Sequence, residues 1–291
     1  MAANRIGVVF LAHEQPRYVA ASLGSLLRDA GAPLEAVVVD NGSGPEVGSA
    51  LDDFEREALS AGHVVRRLRF EENIGAIRGR NEALALVESE HVALIDSDCL
   101  ARTSGWAARL AEYLDANADA GIVGPKLVYP WEPLAIQCAG CDVTRSGRVA
   151  FRGRGEPRDA AEFGSERDCP CLISACWLMR TRLFRELGPL DERFNPVQFE
   201  DIDWCYRARQ AGLRVVYWPR VEMYHFEGMT TTRTPGIEYN SLTARNAVKF
   251  KRKWREVIER EGGLAESDVP PWRQDVGWRS IDEVGELKTV P

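Results

Sequence analysis

His91-Val92-Ala93-Leu94-Ile95-Asp96-Ser97-Asp98 is an apolar run of strand length that stops on two carboxylates. Its aliphatic and β-branched residues predict a buried strand with the acids at its carboxyl end. Open α/β sheets bind ligands at that edge, which makes Asp96 and Asp98 candidate ligand-facing groups. Two acids in a turn can also do no more than cap a following helix, so the rest of the chain has to decide.

Upstream of this run, strand and helix signals alternate. Ile6 to Leu11 reads as a buried strand, Pro16 opens a helix with Val19, Leu23, Leu26 and Leu27 at helical spacing, and Gly31 ends it. Leu34 to Val39 is the next strand and runs into the turn cluster Asp40-Asn41-Gly42-Ser43. A helix over Val47 to Leu59, a strand over Val64 to Phe70 and a helix over Ile74 to Val87 lead back to His91. Repeated β-α units imply right-handed crossovers and a layered α/β sandwich. The first strand-helix junction, Leu11-Ala12-His13-Glu14-Gln15-Pro16, lacks the glycines that let a backbone approach a pyrophosphate, which argues against a dinucleotide-dependent dehydrogenase.

Downstream, Gly105 to Leu114 reads as a helix and Ile122 to Tyr129 as a strand, while Gly140 to Arg167 reads as an insertion with short strands. Order returns at Leu172 to Met179 and in a helix over Arg182 to Leu187. Phe199-Glu200-Asp201-Ile202-Asp203-Trp204-Cys205-Tyr206-Arg207 then carries a helix from about Glu200 to Ala211, which Gly212 terminates. Leu213 to Trp218 is the last strand. Arg245 to Arg260 is a basic helix, and no element is assigned beyond Gly262.

Composition limits the function classes. A chain of 291 residues with 45% hydrophobic content can bury one large core or two modest ones. A formal net charge of -7 argues against nucleic acid as the main partner. The start of the chain does not read as a signal peptide, and no apolar run approaches the roughly 20 residues of a membrane span, so a cytoplasmic protein is expected. Seven cysteines, an odd number, fit a reducing compartment better than a disulfide framework. Cys138, Cys141, Cys169 and Cys171 could in principle make a four-thiolate zinc site, although the second pair is closer in sequence than usual.

In order and approximate spacing, several segments resemble the family 2 glycosyltransferases with the GT-A fold, particularly the rhamnosyltransferase-like branch, over roughly residues 6 to 228. They are Val37-Val38-Val39-Asp40-Asn41-Gly42-Ser43, Glu72-Asn73-Ile74-Gly75 leading to Arg80-Asn81, Asp96-Ser97-Asp98, Asp191-Glu192-Arg193-Phe194 and Glu200-Asp201-Ile202-Asp203, with His225 following. The resemblance implies a three-layer α/β/α sandwich with a mostly parallel central sheet. Residues 1–240 would form the glycosyltransferase domain, with a nucleotide-binding half at about 1–100 and an acceptor-binding half at about 101–240. Residues 241–291 would add a short helical extension and tail.

The implied activity is inverting, metal-dependent transfer of a sugar from a UDP- or dTDP-sugar to a hydroxyl of a saccharide, lipid-linked or small-molecule acceptor. Charge growing on a departing pyrophosphate is well met by a divalent cation, which one or two carboxylates usually hold together with phosphate oxygens. Asp98 and His225 are the candidate ligands, and an imidazole among them tilts preference from Mg2+ toward Mn2+. Asp201 is the candidate general base, because a carboxylate in hydrogen-bond reach can take the acceptor's proton as the new bond forms. Glu200 would orient the acceptor. The bland reading of Glu200, Asp201 and Asp203 is that acids favour a helix N-terminus.

On the donor side, the resemblance makes Asp40 a reader of the pyrimidine N3–H. Backbone near Ala12 and His13 would face the same ring, with His13 where the family often has Asn. Asn73, Gly75 and Arg80 would close on the nucleoside and its phosphates, Arg80 supplying positive charge. Asp96 would take ribose hydroxyls, with Ser97 between the two acids. Arg78 reads as a solvated helix residue. Trp177, Trp204 and a mobile lid from Met229 to Gly236 are acceptor-side candidates. The basic helix could touch an anionic membrane, although such helices more often pack one edge on their own domain.

Two other classes compete. A sugar-phosphate nucleotidyltransferase should show a glycine- and lysine-rich phosphate loop, and Ala12 to Arg17 has none. A catalytically silent carbohydrate-binding relative should have lost the acids, and all are present.

Overall fold

A computed structural model describes residues 5–229, 238–269 and 276–291. The alternation read from the sequence forms its first half: β1 (Ile6–Ala12), α1 (Pro16–Arg28), β2 (Leu34–Asn41), α2 (Pro45–Ser60), β3 (Val64–Phe70), α3 (Ala76–Leu84) and β4 (His91–Ile95). There follow β5 (Cys99–Ala101), α4 (Trp106–Ala116), β6 (Ala120–Val128), β7 (Ile136–Cys138), β8 (Cys141–Val143), β9 (Val149–Phe151) and β10 (Arg167–Asp168). The chain continues through β11 (Cys176–Arg180), α5 (Arg182–Leu187), α6 (Glu200–Gln210), β12 (Arg214–His225) and α7 (Tyr239–Glu261).

One sheet runs through both halves in the order β10-β12-β6-β11-β4-β1-β2-β3, with β5 added on β12 and β7 on β6. Pairing is parallel across β3-β2-β1-β4 and between β6 and β12, whereas β11 lies antiparallel to both β4 and β6. β4 is buried at every residue, as its unbroken apolar sequence requires. Helices cover the sheet: α3 packs on β1 and β2, α4 on β6 and β11, and α6 on β6 and β12. β8 and β9 pair as a separate hairpin inside the expected insertion.

Three sequence boundaries move for physical reasons. The last strand does not stop at Trp218 but runs 12 residues to His225. A register shift between Tyr217 and Glu222 absorbs Pro219, after which Glu222, Met223 and Tyr224 pair again with β6. β11 begins only at Cys176, because the N–H groups just before it are used elsewhere: Leu172 N donates to Cys205 Sγ and Ser174 N to Asp201 Oδ2. The basic helix extends from Tyr239 to Glu261 and buries Leu242, Asn246, Phe250, Trp254, Val257 and Ile258.

The unassigned tail has a place. Val276, Ile281, Val284 and Leu287 pack on a small apolar cluster that includes Tyr18, Tyr129, Trp131 and Phe226. Trp131 Nε1 donates to Val276 O at 2.7 Å, Ile281 N to Tyr18 Oη at 3.0 Å, and Val290 pairs with Thr103. No helix among the described residues is long and apolar enough to cross a membrane. Most of the lid segment, residues 230–236, lies outside the described residues.

Candidate active site

The carboxyl ends of β1, β2 and β4 meet at one edge of the sheet. β11 runs the other way and brings its first residue, Cys176, opposite Ile95. Asp96 N donates to Ala175 O at 3.0 Å, so the acids begin where the β4 ladder ends. His225, the last residue of β12, pairs with Cys99 just beyond them.

Asp96, Asp98 and His225 each present a ligand-type atom within 4.8 Å of the others. His225 Nε2 lies 3.3 Å from Asp98 Oδ1 and 3.9 Å from Asp96 Oδ2, while its Nδ1 is 3.3 Å from Gln137 Oε1. The Gln137 contact fixes the ring so that Nε2 faces the acids, an orienting role common among metal-binding histidines. Burial alone would lower the His225 pKa, but Asp98 and then Asp96 outweigh it and raise it. Asp98 moves the other way: burial opposes ionisation, yet His225 and Met229 N hold the carboxyl below its ordinary value. Two carboxylate oxygens and an imidazole nitrogen fit a divalent cation of hard to borderline character.

Arg80 ties this cluster to a second one. Its Nη2 donates to Asp96, and its Nη1 reaches Ser174 Oγ at 2.9 Å and Glu200 Oε1 at 3.2 Å. The side chain is 5% exposed, and its charge is engaged here by the two carboxylates. Truncation to Arg80→Met would strand Asp96 and Glu200. A loss of about 3 kcal/mol in unfolding free energy is expected from breaking such a buried pair, read by denaturant melts beside wild type. An unchanged midpoint would contradict this.

The acids of α6 divide by environment. Asp203 is fully buried and structural, bonded to Trp254 Nε1 at 2.8 Å and Lys253 Nζ at 2.6 Å. Glu200 is also buried, and Oε2 has no hydrogen-bond partner among the described residues. Desolvation, then repulsion from Asp201, pushes its pKa up to about 8 despite Arg80. Asp201 is only partly buried; Oδ2 accepts from Ser174 N at 2.9 Å and Oδ1 from Ile202 N at 2.7 Å. Burial raises its pKa as well, against these bonds and Arg80.

Other expected positions fare differently. Asp40, next to last in β2, is fully buried, held by Arg69 Nη1 at 2.7 Å, Arg67 Nη2 at 3.2 Å and Ser43 N at 3.1 Å. It therefore offers no exposed carboxylate to a base. Ala12 is buried, and His13 is anchored through Nδ1 to Asn41 O at 2.9 Å. Asn73 Oδ1 accepts from Asn41 Nδ2 and from Gly75 N, both at 2.9 Å. Gly75 has φ 92°, and a Cβ there would meet Asn195 Oδ1 at 2.3 Å, so its lack of a side chain serves the packing of Asn195. Ser97 is buried between the acids. Arg78 is exposed, its Nε 3.1 Å from Glu192 Oε2.

Trp177 and Trp204 need a correction. Both are 0% exposed and pack edge to face at 6.0 Å, so they are core rings with no face for a sugar. The four zinc-candidate cysteines are buried free thiols, and among the described residues they do not gather as a metal-type cluster. The pKa of each is raised, for Cys138 by its contact with Cys141 and then burial, for Cys169 by burial to about 12, for Cys171 by burial to about 11, and for Cys141, against the contact with Cys138, by Cys171 and burial.

Sequence reasoning missed Gln137, in an irregular stretch, and Tyr239, the first residue of α7. Burial, followed by Glu227, Glu200, Asp201 and Asp96, pushes the Tyr239 phenol up to about 12. A protonated hydroxyl thus stands near the catalytic candidates with no periodicity or motif to announce it.

The model of the family described as "Glycosyl transferase family 2" matches residues 8–188. The chain belongs to that family. A family 2 relationship also agrees with the order of the acids along the chain, Asp96-Ser97-Asp98 before Glu200-Asp201. An uncharacterized protein y4gI of Sinorhizobium fredii is 28% identical over 225 residues, covering 76% of this chain, and this chain spans only 24% of that relative's length. The crystal structure of GalNAc-T7 with UDP, GalNAc and Mn2+ superimposes at a TM-score of 0.67 with 17% identity, covering 97% of this chain and 54% of that one. The mannosyltransferase PcManGT from Pyrobaculum calidifontis, in complex with GDP-Man and Mn2+, gives 0.61 with 17% identity, covering 90% of this chain and 70% of that one. These likenesses show the GT-A fold of this family 2 chain.

Proposed function

We propose that the chain is an inverting glycosyltransferase that moves a sugar from a pyrimidine nucleoside diphosphate, UDP or dTDP, to an acceptor hydroxyl. The observation that carries the reading is one guanidinium, Arg80, hydrogen-bonded at once to Asp96 of the donor-side acids and to Glu200, the neighbour of Asp201. The two acid clusters are thus within a side chain's width, as a single displacement between donor and acceptor requires.

Asp201 takes the proton from the acceptor hydroxyl as its oxygen bonds to the anomeric carbon and the bond to the β-phosphate oxygen breaks. Attack opposite the leaving group inverts the anomeric configuration. Glu200, its pKa pushed up to about 8, keeps its proton at neutral pH while Oε1 accepts from Arg80 Nη1, and so leaves Asp201 as the principal anionic base of the pair. Asp98 and His225 would hold a divalent cation, with Gln137 orienting the imidazole. When bound, that cation supplies positive charge to the departing pyrophosphate. The imidazole favours Mn2+ over Mg2+, and Mn2+ accompanies the nucleotide in both solved neighbours.

The base is the least constrained part, because the neighbours carry UDP in one case and GDP-Man in the other, and Asp40 is engaged by Arg67 and Arg69. The test is thermal stabilisation by UDP, dTDP, GDP and ADP, each with Mn2+ or with chelator. A ligand at about 100 times its Kd adds roughly 2.7 kcal/mol of stability by mass action. A shift for UDP or dTDP that chelator removes supports the reading. A shift for GDP alone moves the donor to a purine nucleotide, and no shift with any of them overturns the donor site.

A further inference from the structure

Asn246 lies on α7 beyond the residues matched by the family model, and it is fully buried. Its Nδ2 donates to three backbone carbonyls, Phe194 O at 2.7 Å, Val197 O at 2.9 Å and Gln198 O at 3.1 Å. Its Oδ1 accepts from Lys249 Nζ at 3.0 Å, and Lys249 in turn donates to Arg193 O at 2.6 Å. An amide has two hydrogens, so three acceptors converge on one group. Such an arrangement holds a loop from inside.

The gripped segment leads directly into Glu200 and Asp201. Gln198 and Phe199 have φ of 84° and 74°, left-handed backbone that non-glycine residues adopt at a cost and keep only when neighbours hold them there. The other side of the same segment touches the donor-side loop. Pro196 O accepts from Ala76 N at 2.8 Å and Ile77 N at 3.3 Å, and Asn195 Nδ2 donates to Ile74 O at 3.1 Å. One stretch of chain therefore joins the start of α3 to the start of α6, and neither helix fixes it alone.

We propose that Asn246 is a positioning residue that locks the 194–199 loop, and through it sets the donor-side loop at 73–77 and the catalytic helix α6 relative to one another. The proposal deepens the glycosyltransferase reading and rests on it only for what the two loops bind. Removing the amide takes away the donor that three carbonyls share and frees the strained turn to relax. Both loops then loosen together, although Asn246 is bonded to only one of them.

The test compares Asn246→Asp, which puts a carboxylate against the three carbonyls, with Asn246→Ser, which keeps one donor, and with Val257→Ala. The last removes buried packing from α7 without touching the loop. Amide hydrogen exchange of the full chain is read first. Exchange across 194–199 and 73–77 should rise at least about tenfold in Asn246→Asp, less in Asn246→Ser, and stay at the wild-type rate in Val257→Ala. Titration with UDP and Mn2+ should show about tenfold weaker binding in Asn246→Asp alone. Exchange that rises only along α7, or equally in Val257→Ala, overturns the proposal. If Asn246→Asp does not fold, Asn246→Ser against Val257→Ala decides on the same criterion. A wild-type protein that ignores UDP would count against the donor reading, while the exchange result would still decide the role of Asn246.

Discussion

Asp201→Asn lowers glycosyl transfer by about 10²- to 10⁴-fold and leaves nucleotide affinity within about twofold, the range a positioned general base contributes. Asn has the size of Asp, and one amide oxygen can still accept from Ser174 N or Ile202 N. It cannot accept both N–H groups as the carboxylate does, so about 1 kcal/mol of stability is lost and rates must be compared on folded protein. The pH profile adds a sign. Burial raises the Asp201 pKa, so the acid limb of transfer is displaced upward from that of an ordinary aspartate, with activity rising as pH climbs through it. Wild-type rates from Asp201→Asn, once a donor and acceptor pair is in hand, would remove this residue from the base role.

Glu200 makes a separate pH signature in stability. Its folded pKa, about 8, is above the ordinary glutamate value of 4.5, so the folded state keeps a proton that the unfolded chain releases. Stability therefore falls as pH rises between those values and is largest, for this group, below the lower one. Glu200→Gln should flatten that slope while leaving the bond to Arg80.

How far the sequence reaches depends on what kind of signal a residue leaves. β4 was legible because burial on both faces demands an unbroken apolar run, and its acids were legible because a parallel strand must end somewhere near ligand. Asp98, His225 and Asp201 sit on three separate elements, and the family resemblance alone put them in one expected site. Arg80 marks a limit of another kind: sequence cannot distinguish a cation aimed at phosphate from one held between Asp96 and Glu200, since the difference is one of burial and partners. Trp177 and Trp204 failed alike, because a tryptophan beside acids reads the same whether its ring is in a cleft or packed on another indole. Asn246 and Gln137 act through contacts across long sequence separations, and no periodicity encodes such contacts.

Asp98→Asn and His225→Ala each abolish the stabilising effect of Mn2+ with nucleotide and lower transfer by 10²-fold or more, the order expected when charge stabilisation of a leaving group is removed. Asp98→Asn is the sharper test of the two. It keeps an oxygen for Met229 N, which donates to Asp98 Oδ2 at 3.1 Å, so the turn after β12 is retained while the negative charge is lost. The His225 pKa, raised by that charge, should fall with it, and the drop is measurable by titrating the imidazole signal without metal. Gln137→Leu provides the graded case: it replaces neither candidate ligand but frees the His225 ring, and loss of such an orienting partner costs about 10- to 100-fold in metal affinity. The order of Mn2+ affinities, wild type above Gln137→Leu above Asp98→Asn, would tie the cation to this cluster. Full transfer by Asp98→Asn in the presence of chelator would instead leave His225 and the two carboxylates as an ion-paired support for the loop after β12, with leaving-group charge met elsewhere in the cleft.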